Sequence, residues 1–210
     1  MSMSRLIVLC SGSGSNLQAI LDAVSAGEIP AQMVGVLADR PCFALARAEK
    51  SGIPITCIER SSYQNQRDFQ NDMLAAMQGY APDAVVLAGY ISILNEETIQ
   101  AFSHKIINVH PALLPLFGGK GFYGRHVHQA VLDAGCKVTG ATVHFVEYGV
   151  DQGPIIAQQC IPVYANDSVE DIAERIHPIE HALLVESTKL LCGGKLSIKG
   201  RTVHIEEASL

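Results

Sequence analysis

The chain has 210 residues, a formal charge of −6 and 48% apolar residues, which supports one large domain with a sizeable core and excludes a disordered chain. The mildly acidic balance has no basic stripe, which argues against nucleic acid as the main partner. The apolar runs are strand-sized and Met1-Ser2-Met3-Ser4-Arg5 has no signal-peptide layout, so a cytoplasmic protein without a membrane partner is expected.

Leu6-Ile7-Val8-Leu9-Cys10 is a continuous apolar run, the pattern of a strand buried on both faces. It runs into Ser11-Gly12-Ser13-Gly14-Ser15-Asn16, after which Leu17, Ile20, Leu21 and Val24 recur at helical spacing up to Gly27. Strands are expected at 33–38, 53–57, 84–89 and 105–109, with helices around 44–50, 65–79 and 95–103 between them. Thr139–Val146 and Pro154–Gln158 read as an antiparallel pair at the sheet edge. Asp167-Ser168 caps a long helix over 168–191, in which Pro178 removes a backbone hydrogen bond and predicts a bend. A closing hairpin is expected at 195–198 and 202–205. This alternation predicts an α/β fold: a doubly wound, mostly parallel sheet with antiparallel edge strands and a long C-terminal helix. Ligands of such sheets sit beyond the carboxyl ends of the strands.

Three features fall at those ends. The loop 11–16 feeds a helix N-terminus, a ready anion site, and it lacks the Gly-Lys-Ser/Thr of a P-loop and the full spacing of a dinucleotide loop. A single phosphate is therefore predicted there, an ordinary strand-to-helix turn being the bland reading. Gly89-Tyr90-Ile91 follows the fourth strand. Asn108 and His110, two apart at the end of the fifth strand, send their side chains to one face. One is a fixed amide donor and the other titrates near neutrality. The competing reading is a turn-capping Asn and a satisfied His, against which Pro111 and Pro115 fix the following loop at two points. Asp151 lies on a Gly-rich turn, as a carboxylate partner or as a turn former. His144 is either a ligand contact or a structural His. His126 and His128, two apart on a helix, do not share a face and are rejected as a metal pair, and no metal is expected. The six cysteines show no CxxC pair and are read as reduced, mostly core thiols.

Taken together, Cys10–Gln18, Leu87–Tyr90, Ile107–Pro115, Thr142–Val146 and Asp151–Ile156 resemble the folate-dependent formyltransferases, specifically the phosphoribosylglycinamide formyltransferase family. The resemblance implies the Rossmann-like formyltransferase fold and one domain over 1–210, with a phosphate-binding half at 1–104 and a catalytic and folate-binding half at 105–210. It implies transfer of a formyl group from 10-formyltetrahydrofolate to the amine of glycinamide ribonucleotide in purine biosynthesis, with no metal and with these small molecules as partners of a monomer or homodimer. Gly14, Ser15 and Asn16 would hold the phosphate and Glu180 the ribose hydroxyls. Arg67 and the backbone of Ile91, Ser92, Ile93 and Leu94, together with Asn108, would meet the folate; Asn108, His110 and Asp151 would be catalytic. In that scheme Asn108 and a protonated His110 stabilise an oxyanion, and Asp151 moves the proton and favours the imidazolium. The alternatives are a formyltetrahydrofolate deformylase, whose usual N-terminal extension the first strand at about residue 5 would leave no room for, and a non-catalytic phosphometabolite-binding protein.

Overall fold

The computed structural model describes residues 3–206. In chain order the elements are β1 (Ser4–Cys10), α1 (Ser15–Ser25), β2 (Ala31–Ala38), α2 (Phe43–Lys50), β3 (Ile55–Cys57), α3 (Gln66–Gly79), β4 (Ala84–Leu87), α4 (Glu96–Ala101), β5 (Ile106–His110), α5 (Arg125–Asp133), β6 (Val138–Phe145), β7 (Ile155–Pro162), α6 (Val169–Cys192), β8 (Leu196–Lys199) and β9 (Thr202–Ile205). One nine-stranded sheet has the order β3-β2-β1-β4-β5-β6-β7-β9-β8. Its first five strands pair parallel, and β6 turns antiparallel to both β5 and β7. The sheet thus runs unbroken through both halves of the chain.

The alternating side chains of β1 explain the two-layer cover. Leu6, Val8 and Cys10 pack with α1, α2 and the Leu184 face of α6; Ile7 and Leu9 pack with Phe69, Met73 and Met77 of α3 and with Phe102. A third cluster, Val131, Ala141, Ile161, Ile172 and Ile176, fastens α5 and α6 to β6 and β7. Burying this many aliphatic side chains, at about 25 cal/mol per Å² of apolar surface, is the main driving force that holds the layers together.

Three expectations change and one holds. The third strand begins only at Ile55, because Pro54 has no N–H for a ladder. β7 continues to Pro162, four residues past the apolar run, since its exposed Gln158, Gln159 and Cys160 still pair with β6. α6 holds to its expected span: it is one helix of 24 residues with Pro178 inside it, started by a Ser168–Asp171 capping box. The cysteines are all free, yet only Cys10 is buried, and Cys57 and Cys160 are exposed. No helix among the described residues is long and apolar enough to cross a membrane.

Candidate active site

The end of β5 sets the geometry. Ile107 and Val109 face the core, so Asn108 and His110 face the opposite side, and the antiparallel register places Asn108 opposite His144 and His110 opposite Thr142. The buried Thr142 hydroxyl donates to the Ala112 carbonyl at 2.6 Å and accepts from the Leu114 N–H at 3.1 Å. Gln158 donates to the Leu114 carbonyl at 3.0 Å, so β6 and β7 clamp the loop that follows His110. Asp151 sits between β6 and β7 with φ +58, a left-handed conformation that Asp tolerates. Gly153 behind it has no room for a Cβ, which would collide with the Phe145 carbonyl.

This turn brings one carboxylate between two imidazoles. Asp151 Oδ2 is 3.6 Å from His110 Nδ1, and Asp151 Oδ1 is 3.6 Å from His144 Nε2. The Gly119 N–H donates to Asp151 Oδ2 at 2.9 Å. His110 Nε2 lies 2.8 Å from the Phe117 carbonyl, and a carbonyl only accepts, so Nε2 carries a proton. By the same argument His144 Nδ1 donates to the Phe145 carbonyl at 2.8 Å; in the neutral ring Nε2 then accepts the Asn108 amide N–H at 3.2 Å.

Two effects compete at His110: burial lowers its pKa below the usual value, and the Asp151 carboxylate pulls the other way, towards the imidazolium. Burial works to raise the Asp151 carboxyl, but contact with His144 and His110 and the Gly119 N–H together hold it below the usual carboxylate range.

A cavity of about 1090 Å³ joins this group to the loop after β1. Gly14 is the N-cap of α1 with φ +76, and no side chain caps the helix. A Cβ there would lie 2.7 Å from the Ala44 side chain, so both conformation and packing require glycine. Arg47 Nε donates to the Ser13 carbonyl at 2.9 Å and steadies the loop from α2. Gly12 to Asn16 line the cavity, and the Asn16 Oδ1 is buried without a partner. Glu180 lines it from α6, and burial pushes its carboxyl up to about 7. His128 and His177 also face it. Burial, with His177 and His110 adding to it, takes His128 down to about 4, and the buried His128 Nδ1 has no partner.

The segment after β4 forms another wall. Ile91, Ser92, Ile93 and Leu94 all line the cavity, but Ser92 turns its hydroxyl away to the buried Asp39 at 2.6 Å. The Ile91 N–H and the Ile93 carbonyl are taken by Ser11 Oγ and Gln70, so they are not free for a ligand. Arg67 is exposed on α3 and does not line the cavity, whereas its neighbour Gln66 does. Sequence reasoning had left His144 and the role of the Gly-rich loop around Gly119 undecided and passed over Gln70 and Phe117. Phe117 and Gly119 make their contacts here through the backbone, whose groups carry no residue signature. His126 is exposed and His128 buried, and no metal-holding group of His, Cys, Asp or Glu occurs among the described residues.

One cleft of an α/β sheet thus holds a helix N-terminus and a carboxylate between two imidazoles, an arrangement suited to group transfer. The chain belongs to the formyl transferase family, which it matches over residues 4–188. It is 37% identical over 189 residues to the chloroplastic phosphoribosylglycinamide formyltransferase of Vigna unguiculata, covering 90% of this chain and 61% of that protein. The chain thus spans less than two thirds of that relative. It is 39% identical over 199 residues to the phosphoribosylglycinamide formyltransferase of Mycobacterium tuberculosis H37Rv, covering 95% and 90%. The crystal structure of glycinamide ribonucleotide transformylase 1 from Symbiobacterium toebii superposes with a TM-score of 0.92 at 40% identity, covering 98% of this chain and 95% of that one.

Proposed function

We propose that this chain, as one unit over 1–210, transfers a formyl group from 10-formyltetrahydrofolate to the amine of glycinamide ribonucleotide in purine biosynthesis. The observation that carries the reading is the Asp151 carboxylate, 3.6 Å from both His110 and His144 and beside Asn108, in a cavity that also contains the loop Gly14–Asn16. Gly14, Ser15 and Asn16 receive the phosphate on the first-turn N–H groups of α1 and its dipole, and Glu180 receives the ribose. The folate meets the open backbone edge of Ser92 and Leu94.

The neutral amine attacks the formyl carbon, a C–N bond forms, and the formyl oxygen becomes an oxyanion. The second amide hydrogen of Asn108 is its fixed donor. His110 Nε2–H, now on the Phe117 carbonyl, becomes the other donor once substrate replaces that carbonyl. Asp151, ionised at rest, takes the amine proton directly or through water. It returns a proton to N10, and the C–N10 bond breaks to give the formylated amide and tetrahydrofolate.

Absorbance of the deformylated folate tests the reading. Release that requires glycinamide ribonucleotide and disappears in His110→Ala is the expected result. Release without the ribonucleotide makes the chain a deformylase, and ligand binding without release makes it a binding protein.

A further inference from the structure

The segment 90–95 lines the cavity but belongs to no strand of the sheet. Its pairing is one-sided. The Ile91 N–H donates to Ser11 Oγ at 2.9 Å, the Ile93 carbonyl accepts from Gln70 Nε2 at 2.5 Å, and the Asn95 N–H donates to Gln70 Oε1 at 3.1 Å. The N–H groups and carbonyls of Ser92 and Leu94 have no protein partner among the described residues. The chain bends at Ser92, and the bonds hold it on one side, at residues 91, 93 and 95; among the described residues both backbone groups of Ser92 and Leu94, the Ile91 carbonyl and the Ile93 N–H stay open.

Gln70 comes from α3 and is only 3% exposed. Its amide bonds the carbonyl of one residue and the N–H two residues further on, the pattern that one residue of a parallel neighbouring strand makes. An uncharged side-chain amide supplies donor and acceptor together. A carboxylate of the same length supplies acceptors only and would face the Ile93 carbonyl. Gln66, one turn earlier on the same helical face, lines the cavity, so this face of α3 abuts the donor side.

We propose that Gln70 is a positioning residue for the donor: it clasps Ile93 and Asn95 so that Ser92 and Leu94 present their backbone to a flat heterocycle with adjacent donor and acceptor groups. This rests on the folate-donor reading above. Gln70 touches no substrate; it acts through the backbone of Ile93 and Asn95.

Steady-state kinetics with each substrate varied separately test the role in Gln70→Glu and in the uncharged Gln70→Met. The expected result is a donor KM raised about tenfold or more, as for a buried pair left unmatched, with kcat and the KM for the ribonucleotide unchanged. An unchanged donor KM, or a parallel loss in kcat and both KM values, overturns the proposal. Amide hydrogen exchange reads the clasp without turnover: the Asn95 N–H is protected in the unsubstituted protein and exposed in Gln70→Met, while the α3 amides stay protected. Rapid exchange at Asn95 before substitution also overturns it. Calorimetric titration with folic acid separates the two failures. No binding by the unsubstituted protein refutes the donor reading, whereas binding that Gln70→Glu leaves unchanged refutes the positioning role.

Discussion

Asp151 is the residue on which the proposed chemistry turns, and its surroundings set its charge. Two imidazoles and one backbone N–H surround it, and they outweigh the cost of burial. Asp151→Asn preserves size and the fold of the turn but removes the proton acceptor. Both ligands are expected to bind as before, with kcat lowered by about 10²–10⁴; near-normal turnover would remove Asp151 from the proton path. The residues that carry the site differ in how well the sequence announced them. Asn108 and His110 were readable because a strand has a period of two, and Asp151 because Gly149 and Gly153 mark a turn. His144 was ambiguous because its importance comes from register: only the antiparallel pairing of β5 and β6 sets it opposite Asn108. Gln70 was invisible, since a polar residue on a helix normally faces water and nothing local says that this one is buried.

At the scale of elements, the junction of α1 with α2 is the least forgiving. Gly14→Ala places a methyl 2.7 Å from the Ala44 side chain and demands φ +76 of a residue with a Cβ. The expected outcome is a stability loss of about 1–3 kcal/mol and a raised KM for the ribonucleotide alone, read by thermal melting and kinetics. Gly79→Ala at the end of α3 is the control: a Cβ there meets nothing within 4 Å, and the variant should gain up to about 1 kcal/mol. Most elements were legible from apolar periodicity. The end of β7 was misjudged because a partner on another strand governs it: β7 keeps pairing through polar residues because β6 supplies its ladder.

For the whole molecule, buried titratable groups oppose one another across the acid range. Glu180, raised from 4.5 to about 7, stabilises fully below pH 4.5 and loses that contribution as pH rises towards 7. His128, lowered from 6.5 to about 4, does the reverse: its contribution is present above pH 6.5 and fades as pH falls towards 4. Melting temperature against pH separates them. Glu180→Gln should gain stability relative to the unsubstituted protein on going from pH 5 to pH 8, by roughly 3 kcal/mol at most. His128→Gln should gain on going from pH 8 to pH 5. Parallel curves for all three proteins would show that neither group titrates as its burial requires.

The Phe117 carbonyl also gives the molecule a built-in spectroscopic reporter. It holds the Nε2 proton of a His110 side chain that is 4% exposed, at 2.8 Å. Such a proton is expected to exchange slowly with solvent and to give its own downfield NMR line. The expected outcome is a line that persists while the Phe117 carbonyl keeps this bond and broadens away where a bound ligand displaces it. Occupancy of the cleft can therefore be followed proton by proton, in solution, without a label or a chromophore.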